Sequence, residues 1–126
     1  MKFGAHVSIA GGIPNAPAHA ARLGCAVFQM FSRSPRGGQA APITPAVARN
    51  FQNECRKYQQ AASYIHAPYY INFASADNRI RFGSISIIRD ELERASALGA
   101  TAIMTHLGSA KDTTPEAAIK ITAQGI

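Results

Sequence analysis

The sequence predicts an α/β protein made of parallel (β/α) units, about the first half of a TIM barrel. Apolar runs typical of strands alternate four times with helical segments. No glycine-rich phosphate loop follows the first strand, and the chemically active side chains are spread over several strand ends. That spread is typical of a (β/α)8 barrel of about 250 residues, so four units in 126 residues correspond to its amino-terminal half.

The elements are expected in a regular order within one domain, residues 1–126. Strands are predicted over residues 2–6, 26–31, 63–66 and 102–106. Helices are predicted over residues 14–23, 45–60, 84–98 and from 115 onward. Pro45 and Pro115 each follow a threonine that can cap a helix, and Gly99 suits the left-handed residue that ends one. A helix therefore follows each strand.

Composition points to a globular chain with an anionic partner. Apolar residues make up 47% and charged residues 16%, and no apolar run approaches the roughly 20 residues of a membrane helix. No signal-peptide pattern is present at Met1-Lys2, so a cytoplasmic protein without a membrane partner is expected. The net charge of +6 favours nucleic acid or a phosphorylated metabolite as partner.

Two groups of residues are expected to be structural. Cys25 and Cys55 are interpreted as small buried hydrophobic residues, not as a disulfide or a metal pair. Nine of the thirteen basic residues are arginine, and four of these fall on predicted helices, where a solvated surface is expected. These four are Arg49, Arg56, Arg89 and Arg94.

Three of the four histidines close apolar runs that are predicted to be strands. They are His6, His66 and His106. The carboxyl ends of parallel strands meet at one edge of a sheet, and neighbouring strands lie about 4.8 Å apart. Two imidazoles there can share one zinc ion, whose catalytic sites usually take three protein ligands and water. Either histidine alone would be read as a hydrogen-bonded spacer, but His66 and His106 in register with His6 favour a metal site.

Loop residues near the same edge suggest a second function. Arg36 follows the second strand, and Tyr69-Tyr70 follow the third. A cation and two aromatics beside a metal could hold a phosphodiester and stack on bases. By residue type alone, ordinary loop filling explains them better, and residues 70–73 could fold back over the barrel.

Four blocks of residues together are typical of one enzyme family. The first block is Gly4-Ala5-His6-Val7-Ser8 with Gly11-Gly12, and the second runs from Phe31 to Arg36. The third and most specific block is His66-Ala67-Pro68-Tyr69-Tyr70-Ile71-Asn72-Phe73, and the fourth is His106-Leu107-Gly108-Ser109. Through these blocks the sequence resembles the endonuclease IV family of zinc-dependent apurinic/apyrimidinic endonucleases across essentially its whole length.

The resemblance implies a TIM barrel that repairs DNA with a cluster of three zinc ions. His66 and His106 match two ligands of one zinc, which a glutamate beyond Ile126 completes, with His6, Asn72 and Ser109 as supporting residues. Arg36, Tyr69 and Tyr70 match positions that enter double-stranded DNA at an abasic site. The family cuts the phosphodiester 5′ to that lesion with water activated by zinc.

Two alternatives remain open from the sequence. Metal-dependent sugar isomerases and epimerases share the same barrel superfamily and also use histidines at strand ends. The chain could also be a truncated basic binding module without catalysis. Half a barrel leaves two unpaired edge strands, so this chain by itself is expected to self-associate. It is also expected to be inactive by itself. No obligate protein partner is predicted.

Overall fold

Four short parallel strands form a single sheet in the computed structural model, which describes residues 1–126. They are β1 (Gly4–His6), β2 (Val27–Phe31), β3 (Ala62–His66) and β4 (Ala102–Met104). The spatial order is β1-β2-β3-β4, and each neighbouring pair is parallel. Strand order that follows sequence order is the arrangement of a (β/α) barrel. The predicted fold class is confirmed.

One helix follows each strand, as the sequence predicts. The helices are α1 (Ala16–Arg22), α2 (Pro45–Lys57), α3 (Asn78–Leu98) and α4 (Pro115–Gly125), and a 3-10 turn (Ile13–Asn15) precedes α1. The Thr44 side chain accepts a hydrogen bond from the Val47 amide at the start of α2. Gly99 ends α3 with φ of 71°, which glycine adopts without steric cost. None of these helices is long and apolar enough to cross a membrane.

The structure differs from the sequence prediction at several boundaries, two of which have a clear consequence. Helix α3 begins at Asn78, not near Ser84, because the Asp77 side chain caps it by accepting a hydrogen bond of 2.7 Å from the Arg79 amide. Strand β4 ends at Met104, so His106 lies in the following loop and does not close the strand. Pro68 has no amide hydrogen with which β3 could extend the ladder further.

The helices cover one face of the sheet and form the main core there. Its ten buried residues include Phe28, Met30, Phe51, Ile65 and Leu98, none more than 1% exposed. A smaller cluster, in which Ile71 and Phe73 are buried, lies under the loop after β3. Cys25 and Cys55 are free thiols that pack against the main core, in agreement with the interpretation that they are hydrophobic residues.

Candidate metal centre

Three histidine rings lie next to one another near the carboxyl ends of the strands, and we call them the histidine row. The His66 ring lies 5.8 Å from the His6 ring and 5.3 Å from the His106 ring between centroids. The Phe31 ring packs against both His6, at 4.5 Å, and His66, at 5.1 Å. Parallel register places Phe31 there, because Phe31 at the end of β2 pairs with His66 at the end of β3. The structure thus brings together the three histidines that the sequence selected.

His66 is the most enclosed member of the row, with 7% of its surface exposed. Its Nδ1–H donates a hydrogen bond of 2.6 Å to the Ala67 carbonyl. A carbonyl can only accept, so this bond places the proton of the neutral ring on Nδ1 and leaves the Nε2 lone pair free. Histidines that bind metals are held in the same way by a hydrogen bond from the other ring nitrogen.

The other two histidines are exposed and differ in their support. The His6 Nδ1–H donates to the Gln29 side-chain oxygen at 3.0 Å, and Gln29 pairs with His6 across the β1–β2 ladder. His106 is held by neither a strand nor a side-chain hydrogen bond, because β4 ends two residues before it. Its position depends on the loop that follows β4.

The donor set fits part of a zinc site. His66 and His106 supply two imidazoles from neighbouring (β/α) units, and zinc commonly binds neutral imidazole nitrogen. No group of three or more histidine, cysteine, aspartate or glutamate side chains converges within residues 1–126. These two residues could therefore hold one ion only together with further ligands.

The two tyrosines after β3 remain accessible while their neighbours are buried. Tyr69 is 62% exposed and Tyr70 is 41% exposed, whereas Ile71 and Phe73 are at most 3% exposed. The Tyr69 ring contacts the row, at 5.6 Å from the His66 ring. Of residues 70–73, for which folding back over the barrel was the alternative, Ile71 and Phe73 pack against α3 and Tyr70 stays accessible.

The exposed Arg36 lies close to these tyrosines. A side chain on Gly37, the residue after Arg36, would lie 3.9 Å from the Tyr70 ring. The Arg36 amide donates to the Ser34 side chain at 3.3 Å, in a turn of the loop after β2. The backbone next to the accessible Arg36 thus approaches Tyr70, and the accessible Tyr69 ring contacts the histidine row.

Asn72 and Ser109 join two of the loops that form the site. The Asn72 side-chain oxygen accepts from the Ser109 amide at 3.1 Å, and its side-chain nitrogen donates to the Ser109 carbonyl. A Cβ on Gly108 would lie 2.1 Å from that Asn72 oxygen, so only glycine fits. The two residues therefore contact each other and brace the loop that carries His106.

Sequence reasoning missed a buried group of charged residues beside the site. Glu91 is fully buried and Arg94 is 7% exposed, although Arg94 was expected on a solvated surface. Both contact the start of the loop after β2, at Ser32 and Arg33. The sequence did contain a signal, because positions 91 and 94 share one helical face with the buried Ala95 and Leu98.

The charges in this group compensate one another. Burial by itself lowers the pKa of the Arg33 guanidinium, but hydrogen bonds to Asp90 and Glu91 outweigh burial and the pKa is raised. Burial lowers the pKa of Arg94, and the negative charge of Glu91 opposes that effect. Arginine stays protonated in proteins, so Glu91 faces two cations in a water-excluded place.

Sequence comparison identifies the family. Residues 17–126 match the family described as xylose isomerase-like TIM barrel. The chain belongs to that family. Members of this TIM barrel family share the parallel (β/α) arrangement, so the match agrees with the observed sheet and confirms the barrel prediction.

Within the family, the resemblance to endonuclease IV is confirmed. The chain is 40% identical over 110 residues to a protein named probable endonuclease 4 of Thermoplasma acidophilum, an alignment covering 87% of this chain and 39% of that protein. The crystal structure of endonuclease IV from Thermus thermophilus superposes with a TM-score of 0.84 at 30% identity, covering 99% of this chain and 46% of that one. The chain thus spans less than half the length of these relatives.

A more distant family member shares the fold alone. The crystal structure of a xylose isomerase domain protein from Planctomyces limnophilus superposes with a TM-score of 0.67 at 15% identity. The superposition covers 98% of this chain and 48% of that protein chain. At that identity the likeness establishes the barrel architecture and carries nothing about the substrate. The sugar isomerase alternative therefore has only the fold in its favour, whereas endonuclease IV also shares sequence.

Proposed function

We propose that this chain carries part of a zinc-dependent endonuclease that cuts DNA on the 5′ side of abasic sites. The observation that carries the proposal is the row of histidine rings, which the accessible Tyr69 ring contacts, with the accessible Tyr70 and Arg36 on the neighbouring loops. The resemblance to endonuclease IV supports the same assignment. The complete activity needs ligands that residues 1–126 do not contain, so the chain contributes one part of the site.

His66 and His106 are the proposed zinc ligands. Zinc bound there would act as a Lewis acid on a phosphodiester. The hydrogen bond from His66 to the Ala67 carbonyl fixes the ring orientation and leaves Nε2 free for the ion. Asn72 and Ser109 support His106 by holding its loop, and His6 extends the row on the other side.

Arg36, Tyr69 and Tyr70 are the proposed DNA contacts. The Arg36 guanidinium suits a phosphate, because it presents several N–H donors and a permanent positive charge. The exposed tyrosine rings suit a base or the gap left by a missing base, because stacking on aromatics tolerates any sequence. The net charge of +6 favours the same polyanion. The proposed partner is thus abasic double-stranded DNA, with no membrane contact and a cytoplasmic or nucleoid location.

The experiment compares the binding of two duplexes to the native protein by fluorescence anisotropy. One duplex contains an abasic site and the other is intact. Tighter binding of the abasic duplex is expected, and Tyr69→Ala should weaken that binding by roughly tenfold, since stacking contributes about 1–3 kcal/mol per base. Equal affinity of the native protein for both duplexes would overturn the proposed lesion recognition.

Tyr58 provides a matched control. It follows α2 and precedes β3, at the opposite end of the sheet from Tyr69. Tyr58→Ala should leave the preference for the abasic duplex unchanged. A thermal melt of both variants separates lost recognition from lost stability, because the 62% exposed Tyr69 contributes little to the core.

A further inference from the structure

The loop that carries Arg36 is held at both of its ends by one side chain. Arg94, on α3, donates from Nε to the Ser32 hydroxyl at 2.7 Å and from Nη2 to the Ser32 carbonyl. Its Nη1 donates to the Ala41 carbonyl at 2.8 Å. The guanidinium thus bridges the start and the end of the segment 32–41, and the exposed Arg36 lies between these two points.

A buried carboxylate orients that guanidinium. Glu91, one helical turn before Arg94, accepts a hydrogen bond of 2.7 Å from the Ser32 hydroxyl and another from Arg33 Nε. Arg94 Nε lies 4.0 Å from a Glu91 oxygen. The Ser32 hydroxyl therefore donates a hydrogen bond to the Glu91 carboxylate and accepts one from the Arg94 guanidinium. We name Ser32, Arg33, Glu91 and Arg94 the loop clamp.

Apolar packing contributes little to holding the exposed part of this loop. A cleft of about 330 Å³ lies beneath it, with Ser34, Gln39 and Ala40 on its rim. Gly37 and Gly38 have φ of 104° and 96°. Only glycine adopts such values without steric cost. A glycine-containing loop over a cleft gains its shape from fixed ends, which the loop clamp supplies.

We propose that Arg94, oriented by Glu91, is a positioning residue that holds the loop so that Arg36 meets DNA beside Tyr70. The proposal rests on the proposed function for its DNA partner. Arg94 itself is 7% exposed, and its hydrogen bonds go to Ser32 and Ala41 at the two ends of the loop. Its effect on binding should therefore pass through the loop that carries Arg36.

A double-mutant cycle in the native protein tests that dependence. The affinity for the abasic duplex is measured for Arg36→Ala, Arg94→Lys and the double variant. Arg94→Lys keeps the charge beside Glu91 but cannot bridge both loop ends. Each single variant should weaken binding by roughly fivefold or more, and the double variant should bind about as well as Arg36→Ala alone. Independent losses that multiply in the double variant would overturn the proposal.

Trypsin cleavage after Arg36 tests the clamp without DNA. Well below the melting temperature, Arg94→Lys should be cut at the Arg36–Gly37 bond several-fold faster than the wild type, because the loop opens more often. Arg89→Lys is the matched control, since Arg89 lies on the same helix outside the loop clamp, and its rate should equal that of the wild type. Equal rates for both variants would overturn the proposed clamp.

The two experiments separate failure of the clamp from failure of the proposed function. A native protein that binds abasic and intact duplexes equally contradicts the proposed function, whatever the trypsin rates are. A native protein that prefers the abasic duplex but shows no coupling between Arg94 and Arg36 contradicts the positioning role alone.

Discussion

The two faces of the four-stranded sheet are buried to very different extents, although the same strands build both. On the helix-covered face, Phe28, Met30 and Ile65 are at most 1% exposed. On the opposite face, Tyr64 and Met104 are each 36% exposed. Successive side chains of a strand point to opposite faces. Tyr64 and Ile65 are therefore neighbours in the chain, but Tyr64 lies on the open face and Ile65 lies in the main core.

The difference follows from the barrel arrangement, in which helices cover one face of the sheet and the other face lines the interior. His6, Phe31 and His66 have the same parity as Tyr64 in the strand register, so they belong to the open face. His66 is buried there by its neighbours Phe31, Tyr69, His6 and His106, and not by the main core. Substitutions on the covered face should therefore change folding, and substitutions on the open face should change binding.

The largest expected effect is on the covered face. Phe28→Ala should lower the free energy of unfolding of the native protein by about 3–5 kcal/mol, because it leaves a cavity in a closely packed core. The Phe28 ring is 1% exposed and meets the Phe51 ring edge-on at 6.1 Å. Urea unfolding followed by circular dichroism measures the loss.

Tyr64→Ala on the open face provides the matched comparison. Its ring is partly exposed already, so its removal takes less surface out of the interior and should cost clearly less than Phe28→Ala. Equal losses for the two variants would show that the open face is as closely packed as the covered one, and would contradict the contrast between the faces.

An intermediate effect is expected at the histidine row. His106→Ala should remove close to one equivalent of zinc from the native protein, measured by elemental analysis, with little change in the thermal melt because His106 is exposed. His19→Ala is the control, since His19 lies on α1 and its Nδ1–H donates to the Ser8 carbonyl. Unchanged zinc content in His106→Ala would contradict the ligand assignment.

The smallest expected effect concerns Cys55 on the covered side. Burial raises the pKa of the Cys55 thiol to about 11, from an ordinary value of 9.0. Alkylation of Cys55 in the folded protein should thus accelerate near pH 11, whereas the chain unfolded in urea should react near pH 9. Mass spectrometry of the labelled peptide measures both rates.

The same pKa shift has a consequence for stability. Because the unfolded thiol ionises first, the stability contributed by the protonated Cys55 is complete below pH 9 and declines between pH 9 and 11. A Cys55→Ser variant should lack this decline. An alkylation profile of the folded protein that inflects near pH 9 would show that the thiol is in contact with water.

Local sequence signals determined most of the fold. Helix starts at Pro45 and Pro115 and the helix end at Gly99 were predicted correctly, because capping and proline geometry involve only neighbouring residues. The parallel sheet followed from the alternation of strands and helices. The start of α3 was placed too late because residues 79–82 alternate arginine with apolar residues and a glycine follows them, which hid the Asp77 cap.

The sequence selected the members of the candidate site but not the contacts that support them. The pattern of histidines after apolar runs selected His6, His66 and His106, and the family blocks added Arg36, Tyr69 and Tyr70. The packing of the Phe31 ring against His6 and His66 depends on the register between strands, which no single segment specifies. The contact between Asn72 and Gly108 likewise joins two loops that are distant in the sequence.

The sequence by itself determined where strands and helices lie and which residues carry the chemistry, because periodicity, capping and residue type are local properties. Only the tertiary structure decided that Arg94 is buried, that Glu91 faces it, and that both hold the loop of Arg36. A charged residue on a helix belongs to the surface unless a distant segment supplies its partners. That partner here is Ser32, 62 residues away from Arg94 in the chain.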